Sequence, residues 1–154
     1  MHFMSVAKKD LGFEEFTRKV EDYLEAIYVV SDESGYAGTT DIAKELGIKP
    51  PSVTEMLARL RDSELVQYAP YKGAKLTEHG LEIAKSVKSR HDIFRRLLGE
   101  TGVPEGIAKK DACTLEHNLD PKTINCFGRF IDFLETGLYP GWRKDYEKFR
   151  EGKK

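Results

Sequence analysis

Apolar residues recur near a 3.6-residue period at Phe16, Val20, Tyr23, Leu24, Ile27, Tyr28 and Val30, which predicts one long amphipathic helix over residues 13–33, broken at Ser34-Gly35. Beyond the break, Thr40 reads as the N-cap of a short helix from Asp41 to Leu46 that stops at Gly47. A second helix follows Gly47-Ile48-Lys49-Pro50, with Pro51 in its first turn, where a missing N–H costs nothing. Its apolar stripe is Val53, Met56, Leu57 and Leu60. Two short helices around a Gly-containing turn make a helix-turn-helix. The apolar runs Leu65–Tyr68 and Ala74–Leu76 flank a turn at Tyr71-Lys72-Gly73, the pattern of a small β-hairpin, or wing. Thr77 then caps a long helix that reaches about Leu98.

The rest of the chain reads as helices with short breaks. Val103-Pro104 opens one that extends to Asn118, and Asp120-Pro121 caps and starts the next, through Leu134. After Thr136-Gly137 and Pro140-Gly141 comes a last helix whose Trp142, Tyr146 and Phe149 are spaced to bury one face, and the tail Glu151 to Lys154 is expected to fray. The fold class is therefore mainly α: a winged helix-turn-helix domain over residues 1–78 and an all-helical domain over residues 79–154.

With 40% apolar and 33% charged residues in 154, a globular core is well supplied. No window approaches the roughly 18 consecutive apolar residues of a membrane span, and residues 1–10 lack the apolar run of a secretory signal. Cys113 and Cys126 are too few for a disulfide framework, so a reducing cytoplasm is expected, with Cys126 in the core. The net charge is −1, unevenly spread: residues 1–80 carry 10 Lys+Arg against 14 Asp+Glu, and residues 81–154 carry 15 against 12. A DNA-binding half is normally basic, so this half needs something to neutralise it, and a bound divalent cation would do so.

A helix-turn-helix presents the first turns of its second helix to the major groove. Here those turns carry Lys49, Pro51, Ser52, Thr54 and Glu55. Ser and Thr can bond phosphates or base edges, and Glu55 can accept from a cytosine amino group. Arg59, Arg61, Lys72 and Lys75 are placed as phosphate contacts, with Tyr71 at the wing tip against the sugar-phosphate backbone. Residue by residue, a solvated helix start and ordinary surface charge explain the same positions, and winged helices also serve as protein-interaction modules.

Cys113, Glu116 and His117 stand at i, i+3 and i+4, one face of a helix, and are the side chains that bind late first-row divalent metals. Alone, the spacing also fits a core cysteine beside a solvated Glu-His pair. The company strengthens the metal reading: Asp22 and Glu25, at i and i+3 on a largely apolar helix, and the isolated His91.

Val20-Glu21-Asp22-Tyr23-Leu24-Glu25-Ala26-Ile27-Tyr28, Asp41-Ile42-Ala43, Pro51-Ser52-Val53-Thr54, Tyr71-Lys72-Gly73 with Leu76-Thr77, Arg90-His91 and Cys113 with Glu116-His117 together resemble the diphtheria-toxin-repressor family of iron-dependent repressors and manganese-transport regulators. The likeness runs in order over residues 16–135. It implies a homodimeric, metal-activated repressor of operator DNA, not an enzyme, with no membrane partner and no small-molecule substrate. The second domain becomes a dimerisation and metal-binding domain, with Phe127, Phe130 and Phe133 as interface candidates. The implied ligands are Asp22, Glu25, His91, Cys113, Glu116 and His117.

That set is a hybrid: Asp22 and Glu25 match the manganese branch, and Cys113 the iron branch. A soft thiolate favours Fe(II), with Mn(II) as the alternative and Zn(II), Co(II) or Ni(II) as possible substitutes. Two positions depart from the pattern: Arg95 stands where a Glu is expected and Lys109 where the iron branch has a second-site His, so an iron-type second site is expected to be absent or altered. The chain reads as a short form without the SH3-like domain. The rival reading is a winged-helix regulator of a small organic ligand.

Overall fold

The computed structural model describes residues 11–152, leaving aside the side chains of residues 11–16. The expectations for Phe16, for residues 1–10 and for Lys153 and Lys154 lie outside the described residues. The chain divides into two compact units, one to Lys88 and one from Ser89.

The first unit opens with α1 (Leu11–Val30), β1 (Tyr36–Ala37), α2 (Thr39–Leu46) and α3 (Pro50–Asp62). It continues through β2 (Val66–Ala69), β3 (Gly73–Leu76) and the first part of α4 (Glu78–Glu100). The strands form an antiparallel sheet in the order β1-β3-β2, with Tyr36 opposite Lys75 and Val66 opposite Leu76. One face each of α1, α2 and α3 closes on that sheet: Leu24, Ile27, Ile42, Val53 and Leu57 are fully buried. Truncating one such leucine to alanine costs about 2–5 kcal/mol, so the orientation of α3 is set by its apolar stripe.

Several boundaries differ from the sequence pattern for identifiable reasons. Helix α1 stops at Val30, because the Asp32 carboxylate accepts from the backbone N–H groups of Ser34 (2.8 Å) and Tyr36 (3.1 Å), a local turn that competes with the helix. Thr40 is not an N-cap. Helix α2 starts two residues earlier, at Thr39, with Gly38 as its extended N-cap and the Gly38 carbonyl accepting from Ile42 N–H at 3.0 Å. Pairing of β1 with β3 holds the chain extended up to that point, which fixes the helix start. Gly73 is required here: its φ is +100°, and a Cβ would collide with the Ala37 carbonyl oxygen. Thr77 does cap α4, accepting from Gly80 N–H at 3.1 Å.

The second unit comprises the remainder of α4 with α5 (Glu105–Asn118), α6 (Pro121–Glu135) and α7 (Trp142–Glu151). Phe94, Ala112 and Ile124 form its core, and Phe127 meets Phe94 edge-on at 5.9 Å. Asp120 caps α6, accepting from Lys122 N–H at 2.8 Å. Two expectations are corrected. Cys126 is exposed, not core: on α6 it lies about 200° round from Ile124, opposite the Ile124/Ile131 face that is buried. Helix α7 buries no residue fully; Trp142 and Tyr146 are half-buried and Phe149 is exposed. That helix is held by polar contacts instead. The Trp142 indole N–H donates to the Leu134 carbonyl (3.2 Å), Arg143 forks onto Glu100, and the Tyr146 hydroxyl donates to the Thr101 carbonyl (3.3 Å).

Candidate metal centre and nucleic-acid face

Helix α3 turns its apolar stripe inward, so the opposite face must be solvent-exposed. Lys49 is its N-cap, Pro50 and Pro51 fill the first turn, and Lys49, Pro51, Ser52, Thr54, Glu55 and Arg59 are all exposed. The exposed groups are partly engaged with one another. The Thr54 hydroxyl donates back to the Pro50 carbonyl (3.3 Å), Arg59 donates to Glu55 (3.0 Å), and Arg61 donates to Asp62 (3.1 Å). Behind the first turn, the buried Tyr23 of α1 donates its hydroxyl to the Ser52 carbonyl at 3.4 Å. Burial, and then the nearby Glu55 charge, push the Tyr23 phenol above its ordinary value of 10.0.

At the wing, Tyr71 is fully exposed and sits in the left-handed region with φ 72°. Lys72 and Lys75 place their ammonium groups over the Tyr36 ring, 5.9 and 5.5 Å from its centroid. Sequence reasoning missed Tyr36, because a two-residue strand has no periodicity to find and exists only through its pairing with β3.

In the second unit, the 3.6 period of α5 brings Cys113, Glu116 and His117 to one face, where each offers a donor atom within 4.8 Å of the others. From α4, His91 reaches the same carboxylate. Its Nδ1 stands 3.2 Å from Glu116 Oε2, while His117 Nε2 stands 3.2 Å from Glu116 Oε1. Glu116 is 1% exposed and His91 6%. Burial pushes the Glu116 carboxyl up, but the close polar contacts and positive charge of His117 and His91 outweigh it, and the net position is below the ordinary 4.5. The two contacts lie at ion-pair distance, yet neither satisfies the directionality of a full hydrogen bond, and both carboxylate oxygens are shut off from solvent. A buried carboxylate served this poorly is costly. It is what a divalent cation would repair, and a mixed S, N, O donor set suits Fe(II), Co(II) or Zn(II).

Asp22 and Glu25 occupy successive turns of α1 in the first unit, both half-buried. Arg95, one turn beyond His91, donates its Nε–H to Glu105 at 2.6 Å, and Lys109 is exposed. Phe130 and Phe133 are exposed on α6, whereas Phe127 is half-buried against Phe94.

A winged helix-turn-helix joined to a helical unit with a buried carboxylate flanked by imidazoles and a half-buried thiol is the build of a metal-responsive transcription regulator. Residues 15–74 match the family described as iron dependent repressor, N-terminal DNA binding domain, and residues 77–139 match its metal binding and dimerisation domain. The chain belongs to this family of metal-dependent transcriptional repressors, the diphtheria toxin repressor family. It is 36% identical over 119 residues to the HTH-type transcriptional regulator MntR of Bacillus velezensis, covering 77% of this chain and 84% of that one. Among solved structures it is similar to the manganese regulator SloR (25% identity, TM-score 0.63), over 74% of this chain and 54% of that one. It is also similar to IdeR of T. acidophilum (25% identity, TM-score 0.60), over 71% and 53%. The chain thus spans about half the length of those two structures. No helix among the described residues is long and apolar enough to cross a membrane.

Proposed function

We propose that this protein is a cytoplasmic repressor that binds operator DNA as a homodimer when loaded with a divalent metal, and so controls genes of metal uptake or homeostasis. The observation that carries the reading is Glu116: a carboxylate 1% exposed, flanked by two imidazoles at 3.2 Å and beside a thiol, in the segment that matches a metal-binding domain. The ligand set of the proposal is His91, Cys113, Glu116 and His117, with Asp22 and Glu25 of α1 added on the strength of the family likeness.

When bound, a divalent ion supplies positive charge that offsets the buried Glu116 carboxylate. The protein side chains do the rest. Glu116 holds a fixed negative charge between two imidazoles, and Cys113 supplies the soft donor that sets metal preference. Metal occupancy would act by favouring the state in which two recognition helices match half-sites about 34 Å, or a multiple, apart. Occupancy favours that state only by its differential affinity for it. The exposed Phe130 and Phe133 are the surface offered to a second copy.

Fe(II) is the ion the thiolate favours. Mn(II) is the second reading, supported by Asp22 and Glu25 and by the similarity to a structure described as a manganese regulator. The test is anaerobic binding to promoter DNA of the source genome at fixed salt, without metal and with Fe(II), Mn(II) or Zn(II); salt is held constant because phosphate contacts make affinity steeply salt-dependent. Metal-dependent, sequence-selective binding is expected. Tight binding that chelation leaves unchanged would overturn the proposal and favour the organic-ligand regulator.

A further inference from the structure

The exposed face of α3 carries a carboxylate where a DNA-facing helix should be cationic. Glu55 is 71% exposed at its side chain, one turn from the helix start, and Arg59 one turn further on, 60% exposed, donates to it at 3.0 Å. An exposed i, i+4 pair is ordinarily worth little to stability. Its position is what gives it meaning: Val53, Met56, Leu57 and Leu60 are buried, so Glu55 cannot rotate away from the face that would enter a groove. Set against phosphates, an unmatched carboxylate is repelled. Only the exocyclic amino groups of cytosine (N4) and adenine (N6) offer donors to it in the major groove, and cytosine is the base for which a carboxylate is the matching side chain.

We propose that Glu55 and Arg59 act as one reader, Glu55 accepting from a cytosine amino group while Arg59 fixes the carboxylate rotamer and turns its remaining donors to the adjacent phosphate. This rests on the proposed DNA-binding role and deepens it, since it requires a C·G pair at one defined position of each half-site. Arg59 is the positioning residue. Its guanidinium cancels the charge that Glu55 would otherwise set against the backbone, and its five donors allow it to hold both groups at once. The pair also disfavours arbitrary DNA: where no amino group meets Glu55, the carboxylate is left facing phosphates as an unsatisfied acceptor.

The experiment selects operators from a randomised duplex pool with metal-loaded full-length protein, wild type, Glu55→Gln and Arg59→Ala, and measures affinity for the selected site and its single-position variants. Wild type should select cytosine at one position per half-site and discriminate there by about tenfold to a hundredfold, as expected for one good base contact. Glu55→Gln should move the preference at that position alone towards adenine, which a carboxamide reads. Arg59→Ala should weaken discrimination at the same position as well as overall affinity, whereas loss of a plain phosphate contact lowers affinity evenly across sequences. An unchanged preference in Glu55→Gln, with metal-dependent binding intact, would overturn the reader while leaving the regulator standing. Loss of all metal-dependent binding by the wild type would instead remove the reading beneath it.

Discussion

Replacing Glu116 with alanine tests the metal centre through heat stability, without reference to DNA. The side chain is 1% exposed, and its two oxygens each face one imidazole at 3.2 Å. Without metal, truncation removes a poorly satisfied buried acceptor as well as its contacts, so the apo protein should lose only about 1–3 kcal/mol. With metal the contrast is larger. An ion at 100 times its Kd stabilises the wild type by about 2.7 kcal/mol, a rise in Tm of about 5–10 °C for a chain of this size. Losing a central ligand should weaken affinity by about a hundredfold, at the upper end of what even an outer-sphere partner contributes. The same metal concentration then equals Kd and stabilises by about 0.4 kcal/mol, a shift of about 1 °C. Melting curves recorded anaerobically with and without Fe(II) or Mn(II) measure this directly, and Glu116→Gln keeps the side-chain volume as a folding control. A folded Glu116→Ala protein with the full metal-induced rise would refute the assignment.

Two further outcomes follow from the same centre. The Glu116 carboxyl titrates below its ordinary 4.5 in the folded chain, so its contribution to apo stability is complete above that value and lost as pH falls through the lower folded one. Acid melts of wild type should therefore steepen below pH 4.5 relative to Glu116→Gln, and parallel curves would deny that burial is outweighed by the two imidazoles. Cys113→Glu exchanges the soft donor for a hard one and should shift activation towards Mn(II) over Fe(II). Equal activation of variant and wild type by both ions, read as operator affinity, would show that the thiol does not set preference.

The sequence made local elements legible where a residue type alone dictates geometry. The prolines at the start of α3, the Thr77 cap and the Asp120 cap needed nothing beyond their neighbours. Features made by tertiary contact were not legible. Strand β1 exists because Tyr36 and Ala37 pair with β3, and α2 begins at Thr39 because that pairing ends there. Cys126 looked like core by residue type, yet helix phase decided its place, and phase depends on which face of α6 finds a partner. Within the second unit, helical spacing alone joins Cys113, Glu116 and His117, whereas the approach of His91 on α4 depends on how α4 packs against α5.

The two cysteines sit in environments of different kind: Cys126 on the solvent face of α6, and Cys113 half-buried beside Glu116 and His117. A thiolate donating to an ion is a poor nucleophile towards alkylating reagents. With Cys113 as a ligand, as proposed, the chain would carry a chemical reporter of its own metal occupancy. A lag in alkylation at Cys113 would mark how much of the protein is loaded, so occupancy could be read inside a living cell from the ratio of labelled to unlabelled peptide masses.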